Sequence, residues 1–185
     1  MRLVPRHLRE NIAPFVVIKK TRGMGERKLL RRVLRRMERR GVAFPVVAKP
    51  DLGQRGDGVQ LVRDEASLRA YLRRFPARNR LIVQQLAPQK GEAGVFYYRH
   101  PNADTGTLSS ITLKYFPSVQ GDGVSTLRQL IMADSRASLL AEVYCARHAS
   151  RLEDVLPEGE QYPLVFAGNH CKGSVFRDGT HLVTP

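Results

Sequence analysis

The segment FPVVAKPDLGQRGDGV, residues 44–59, determines how this 185-residue chain is interpreted. Its first part is apolar and ends in Lys49, and apolar residues return at Val59 after a loop. The order predicts a strand, a lysine, a flexible loop and a second strand. The loop glycines are Gly53, Gly56 and Gly58. Glycine lets backbone N–H groups approach phosphate oxygens, and an ammonium supplies a point charge, so the segment indicates a nucleoside triphosphate site.

Two common phosphate-binding patterns do not fit this segment. A Walker A loop needs Gly-Lys followed by Ser or Thr, and the Rossmann pattern needs a helix after its glycines, where a strand is expected here. An ordinary β-hairpin with a glycine turn stays open as an alternative for Gly56 and Gly58 taken alone.

Composition bounds the class of protein. Hydrophobic residues make up 42% of the chain, and no apolar run is long enough to span a bilayer, so we expect a soluble protein. The basic segment 1–10 lacks the apolar stretch of a signal peptide. Cys145 and Cys171 are far apart and form no metal or redox pattern. These features predict a cytoplasmic protein with reduced thiols.

The net charge of +14 is concentrated in one segment. ERKLLRRVLRRMERR, residues 26–40, carries eight basic and two acidic residues, and its apolar residues recur at helical spacing. It is either a packed helix with a solvated arginine face or a docking helix for an anionic surface. We expect no nucleic-acid or membrane partner, because the aromatic residues 96–98 lack an interleaved basic stripe; a basic nucleic-acid binder remains the less favoured alternative.

The remaining patterns predict an α+β protein with two lobes. We expect a basic N-terminal segment and helix over 1–41, a small lobe over 42–86 and a second lobe over 87–185. Thr126 and Gln129 stand at capping-box spacing and open a short helix. Further helices are predicted over 67–74 and 136–151, strands over 12–18, 81–86, 95–98, 108–115 and 164–167, and a hairpin around Asp178-Gly179.

The strand–lysine–glycine-loop order resembles the ATP-grasp superfamily, in which a β-hairpin with a glycine-rich tip folds over ATP. A lysine on the preceding strand touches the phosphate in that superfamily. The resemblance therefore implies that Lys49 and the loop residues hold the ATP phosphates. These loop residues are Gly53, Gln54, Gly56 and Gly58.

The segment LIVQQLAPQKGE, residues 81–92, resembles the hinge strand of the same superfamily. The resemblance implies that the backbone of Gln84, Gln85 and Leu86 binds the adenine edge. It also implies that the Glu92 carboxylate accepts hydrogen bonds from the ribose hydroxyls. A sheet edge for the two glutamines, and an exposed loop carboxylate for Glu92, are the alternatives.

Two further segments carry the resemblance into the second lobe. VQGDGVSTLRQLI, residues 119–131, resembles the GDGxST segment of cyanophycin-synthetase-like and related glutamate-ligating enzymes, and Lys114 just before it is then a candidate phosphate ligand. AGNHCKGSVFRDGTHLVTP, residues 167–185, resembles the stretch before their metal site, which implies phosphate or acyl-phosphate contacts for Asn169 and His170. A structural, hydrogen-bonded His170 is the alternative.

The implied function is that of a carboxylate–amine ligase related to D-alanine–D-alanine ligase and cyanophycin synthetase. ATP would phosphorylate a small carboxylate, and an amine would attack the acyl-phosphate. The expected Mg²⁺ ligands of the superfamily, an acid and then Glu-x-Asn, would follow His181–Pro185. We therefore expect an ATP-grasp fold that lacks its last strands. We expect no metal ligands and no assigned catalytic residue in this chain, so that Mg²⁺ would bind only through the nucleotide or the missing part. The exposed sheet edge would favour self-association. A non-catalytic nucleotide-binding module is the alternative.

Overall fold

A computed structural model describes residues 5–53, 56–88 and 91–183 of the chain. The chain divides into two compact units, Met1–Gln89 and Lys90–Pro185. Both units combine helices with antiparallel sheets, so the predicted mixture of helices and strands is confirmed at this coarse level.

The first unit builds one four-stranded sheet and two α-helices. After a 3₁₀ helix, Arg6–Asn11, its elements are β1 (Phe15–Lys19), α1 (Glu26–Arg39), β2 (Val46–Pro50), β3 (Gln60–Val62), α2 (Glu65–Arg74) and β4 (Arg80–Gln85). The strand order is β1-β4-β2-β3, and each neighbouring pair is antiparallel. The predicted hairpin is confirmed, because β2 pairs with β3 from Val46 opposite Val62 to Ala48 opposite Gln60.

Side chains of this sheet alternate between two faces, as the period of two requires. One face is buried under both helices and forms the core of the unit with them. Its strand residues are Val16, Ile18, Val46, Ala48, Val62, Leu81 and Val83. The other face carries Val47 opposite Gln84 and Lys49 opposite Ile82. The sheet thus separates the helices from the predicted phosphate-binding lysine.

Helix α1 packs through the apolar stripe that the sequence predicts. Leu29, Leu30, Val33 and Met37 are buried in the core, while arginines on the remaining surface are exposed. Helix α2 begins with a capping box, in which the Asp64 carboxylate accepts from the Ser67 N–H at 2.7 Å and the Ser67 hydroxyl accepts from the Asp64 N–H at 3.1 Å.

The second unit contains two small sheets and two short α-helices. Its elements are β5 (Glu92–Tyr98), β6 (Thr107–Tyr115), β7 (Ser118–Gln120), α3 (Leu127–Ala133), α4 (Ala141–Arg147), β8 (Gln161–Pro163) and β9 (Val175–Asp178), with 3₁₀ helices at Ala137–Leu140, Ala149–Arg151, His170–Lys172 and Thr180–Leu182. The sheet orders are β5-β6-β9 and β7-β8. A separate core, which includes Leu127, Ile131, Tyr144, Leu156 and Leu164, lies around α3 and α4.

Three sequence predictions in this unit are wrong. The helix over 136–151 is instead the seven-residue α4 with a 3₁₀ helix on each side. The Asp134 carboxylate accepts from the N–H groups of Arg136 and Ala137 at the start of this segment, at 2.9 and 2.7 Å. The strand over 164–167 is instead Gln161–Pro163. After Asp178-Gly179 the chain forms a 3₁₀ helix rather than a hairpin, because Asp178 accepts from the Thr180 N–H and hydroxyl.

Candidate functional site

Lys49 lies on the sheet face that faces away from the helices. Its ammonium donates a hydrogen bond to Oε1 of Gln84 at 2.7 Å, and Nε2 of Gln84 donates to the carbonyl oxygen of Ala13 at 3.1 Å. Within the part of the chain that the structure describes, Lys49 makes no salt bridge. A neutral amide thus positions a charged ammonium, which keeps its charge available for an anion.

The glycine loop between β2 and β3 follows Lys49 directly. Gly56 and Gly58 have φ angles of +69° and +67°, which L side chains rarely adopt, so these turns require glycine. A Cβ on Gly58 would lie 3.1 Å from Cδ of Pro50. At the start of the loop, Asp51 pairs with Arg80 at 3.0 Å. The predicted contact of Gln54 lies outside the described residues.

Tyr71 of α2 holds the far end of the loop. Its hydroxyl donates to the carbonyl oxygen of Gly58 at 2.8 Å. Burial, and secondarily the negative charge of Asp57, raises the pKa of Tyr71 to about 12. The phenol therefore stays protonated, and remains a hydrogen-bond donor, at neutral pH and well above it. The sequence analysis missed this residue; its place on the apolar side of α2 was the available signal.

The end of β4 is bonded to neighbouring backbone. Oε1 of Gln85 accepts from the Ala43 N–H at 2.9 Å, and the Gln85 N–H donates to Pro14 at 2.8 Å. The Leu86 N–H donates to Pro45 at 3.4 Å. Both N–H groups are thus used inside the first unit, and adenine binding by 84–86 stays a prediction.

Three residues predicted for the site come together in the second unit. Glu92 and Lys114 are opposite each other on β5 and β6 and form an ion pair. The Lys114 ammonium also lies 5.7 Å from the ring centre of Phe176, and the His170 ring centre is 3.9 Å from that same ring. Phe176, which the sequence analysis did not select, thus links Lys114 to His170 because it is opposite Lys114 on β9.

Asn169 shapes the turn that carries His170. Its side-chain oxygen accepts from the Cys171 N–H at 2.9 Å, and its own N–H donates to the Ser174 hydroxyl at 3.1 Å. The buried Tyr144 fixes the same turn through a 2.8 Å hydrogen bond to the carbonyl oxygen of Lys172. These hydrogen bonds fix the turn and place the His170 ring against Phe176.

The GDGVST segment makes a loop whose groups bond mainly to one another. The Asp122 carboxylate accepts from the N–H groups of Val124 and Ser125 at 2.9 and 2.7 Å and from the Ser125 hydroxyl at 2.6 Å. These bonds, first of all that from the Ser125 hydroxyl, lower the pKa of Asp122 to about 2. Thr126 then caps α3 with Gln129. The segment thus has a structural explanation independent of any ligand.

Neither a metal cluster nor a membrane span is found in the described residues. They contain no group of three or more His, Cys, Asp or Glu side chains placed to hold a metal ion. Over the same residues, no helix is long and apolar enough to cross a bilayer.

Comparisons with known proteins identify no family for this protein. No family model and no curated protein matched the chain. Among solved structures, it matches a bifunctional glutathione synthetase from Pasteurella multocida at 13% sequence identity, with a TM-score of 0.36. The match covers 95% of this chain and 24% of that one, so the chain spans about a quarter of that protein. Similarity at this level establishes neither a family nor a function for this chain.

Proposed function

We propose that this protein binds ATP as an ATP-grasp module of the carboxylate–amine ligase type. One observation carries the proposal: the charged Lys49 is held by a neutral amide near the end of β2, just before a loop in which Gly56 and Gly58 adopt left-handed conformations. Such a loop exposes backbone N–H groups, and together with an ammonium these are suited to a polyphosphate.

The phosphates would replace Gln84 as the partner of Lys49. A hydrogen bond between charged groups is stronger than one to a neutral amide, so the exchange favours the bound anion. Tyr71 supports the loop during this exchange by holding the Gly58 carbonyl. The Gly53–Gly58 backbone would supply the remaining donors.

In the second unit, we propose that Glu92 and Lys114 bind a nucleotide. Glu92 is an acceptor suited to the ribose hydroxyls, and Lys114 is a donor suited to a phosphate. Their ion pair keeps both side chains in place without a ligand. His170 and Asn169 would contact the transferred phosphoryl group.

The proposed reaction has two steps. A carboxylate oxygen of the substrate attacks the γ-phosphorus, the bond to the bridging oxygen breaks, and ADP leaves. The amine then attacks the carbonyl carbon, displaces phosphate and loses a proton. The lysines would bind the phosphates and stabilise the developing charge. Mg²⁺ supplies such charge in phosphoryl transfer, but the described residues form no cluster of ligands for it, so it has no protein ligand in this proposal.

Calorimetry of ATP binding to the full chain tests the proposal. We expect measurable binding, weakened about tenfold or more by Lys49→Ala because a charged hydrogen bond is removed. Lys28→Ala is the matched control, since Lys28 is an exposed lysine on α1. Absence of ATP binding, or equal affinity of a folded Lys49→Ala protein, contradicts the proposal.

Phosphate release separates the ligase from the non-catalytic alternative. The chain is incubated with ATP, Mg²⁺ and a panel of amino acids as carboxylate and amine donors. Turnover that disappears with Lys49→Ala supports a ligase, whereas ATP binding without release supports a nucleotide-binding module.

A further inference from the structure

A hollow lined by arginines lies between α1 and α2; we call it the basic groove. Arg27, Arg31 and Arg35 of α1 line it together with Arg69 of α2, and its volume is about 530 Å³. A second hollow of about 520 Å³ shares Arg27 and Arg69 and includes Arg73. The charge concentrated in α1 is therefore arranged along a concave surface.

The three α1 arginines form a regular row. They recur every four residues, which spaces them about 6 Å apart along a helix. All three are exposed, and no side-chain hydrogen bond or salt bridge joins any of them to another residue within 5–53, 56–88 or 91–183. Arg73 and Arg69, in contrast, pair with Glu26 at 2.8 and 3.8 Å. The α1 row thus offers guanidinium groups that form no side-chain hydrogen bond or salt bridge in the described residues.

The basic groove is separate from the residues proposed to bind ATP. Both helices cover one face of the first sheet, whereas Lys49 and Gln84 project from the opposite face. A ligand in the groove would therefore be a different molecule from the nucleotide, and the two sites can be altered independently.

We propose that the basic groove binds the sugar-phosphate backbone of double-stranded nucleic acid without reading its sequence. Guanidinium groups bind phosphate in a bidentate manner, and a row of them about 6 Å apart is on the scale of successive phosphates along a strand. The described lining has no aromatic side chain on which an unpaired base could stack, so a duplex fits better than a single strand.

Other anionic partners fit the groove less well. Membrane insertion needs an exposed apolar helix face, but Leu29, Val33 and Met37 are buried in the core. An acidic peptide would need an apolar anchor for affinity, and the apolar lining of the groove is limited to Leu30, which is only 4% exposed, and the half-buried Leu34. Glu38 and Glu65 also line the groove and reduce its positive charge, so we expect weak, salt-dependent binding.

This proposal reverses the expectation that the protein has no nucleic-acid partner. That expectation depended on the aromatic strand at 96–98, where no basic stripe is present. The row on α1 lies elsewhere, and the spatial arrangement of α1 beside α2 is what turns a charged helix into a groove.

Fluorescence anisotropy with a labelled DNA duplex of mixed sequence tests the proposal across a range of salt concentrations. The test variant carries Arg27→Gln, Arg31→Gln and Arg35→Gln. The control carries Arg63→Gln, Arg99→Gln and Arg136→Gln, which removes the same charge from exposed positions elsewhere. We expect the slope of log affinity against log salt to become less steep by about 2 to 3 in the test variant but not in the control. Each arginine removed leaves about one phosphate without its cation.

Several outcomes would overturn the proposal. These are no duplex binding by the wild-type chain, an equal reduction in the control variant, or tighter binding of a single strand, an acidic peptide or anionic vesicles. Glutamine is a good helix former, so helicity by circular dichroism should be unchanged in the test variant. Its ATP affinity should also be unchanged, which distinguishes failure of this proposal from failure of the proposed function.

Discussion

The ammonium of Lys49 donates to the side-chain oxygen of Gln84, 2.7 Å away on the neighbouring strand β4. The Gln84 amide is itself fixed by its 3.1 Å hydrogen bond to Ala13. Because the partner is neutral, Gln84 orients the lysine without neutralising it. The positive charge of Lys49 therefore remains available for an anionic ligand.

Gln84→Glu should weaken ATP binding. The new carboxylate would form an ion pair with Lys49 and repel the phosphates, so we expect affinity to fall about tenfold by calorimetry. Gln120→Glu, at an exposed position of β7, changes the net charge equally and should leave the affinity unaltered. An unchanged affinity in Gln84→Glu would show that the nucleotide does not use Lys49.

Tyr71→Phe should loosen the glycine loop. The substitution removes the hydrogen bond to Gly58 and should lower the free energy of unfolding by about 0.5–1.5 kcal/mol, measured by urea denaturation. Hydrogen exchange at Gly56 and Gly58 should become faster. Tyr144→Phe is a useful comparison, since it removes a hydrogen bond of the same length in the other unit and should not affect this loop. Unchanged exchange in Tyr71→Phe would contradict the anchoring role.

Asp122→Asn should change how stability depends on pH. The folded pKa of Asp122 is lowered from 3.8 to about 2, so its carboxylate stabilises the fold above pH about 4. That contribution is lost as the pH falls from about 4 to about 2. The melting temperature of the wild type should therefore exceed that of the variant near neutral pH, and the difference should shrink over this acid window. A difference in melting temperature that stays constant over this window would contradict the prediction.

Gly121→Ala should destabilise the second unit. A Cβ at this position would lie 2.1 Å from the carbonyl oxygen of Pro157 and 2.8 Å from Cβ of Leu156. Backbone would have to shift, at a cost of about 1–3 kcal/mol. Gly94→Ala is the control, because its Cβ would meet only Thr112, at 3.9 Å. Thermal unfolding that ranks the two variants equally would be the contrary result.

Local patterns predicted the part of the fold that depends on local interactions. The β2–β3 hairpin, α1 and the capping box at Thr126 each follow from residues that are near in sequence. The capping box at Asp64 is equally local but was not predicted. The period of two also makes Lys49 and Gln84 share a face once their strands are adjacent. Which strands are adjacent was not readable from the sequence.

The strand predicted over 164–167 is wrong because residues there are buried without forming regular secondary structure. Leu164 and Val165 are apolar and buried, which favours a strand by pattern. Instead the Leu164 carbonyl accepts from the Arg147 guanidinium and from Nε2 of His148, each at 3.0 Å, and its N–H donates to Pro117. These partners are distant in sequence, so periodicity contains no signal for them. The same is true of Phe176 between Lys114 and His170.

The position of β4 has a consequence for the order in which the first unit folds. β4 is the last strand of the unit in sequence, yet it lies between β1 and β2, and β1 pairs with no other strand of the described sheet. During synthesis the β2–β3 hairpin can close early. In contrast, β1 and the apolar stripe of α1 lack their partner strand until residues 80–85 have left the ribosome. Long-range pairing of this kind slows folding, so we expect the sheet and core of the unit to be completed late, after β4 becomes available.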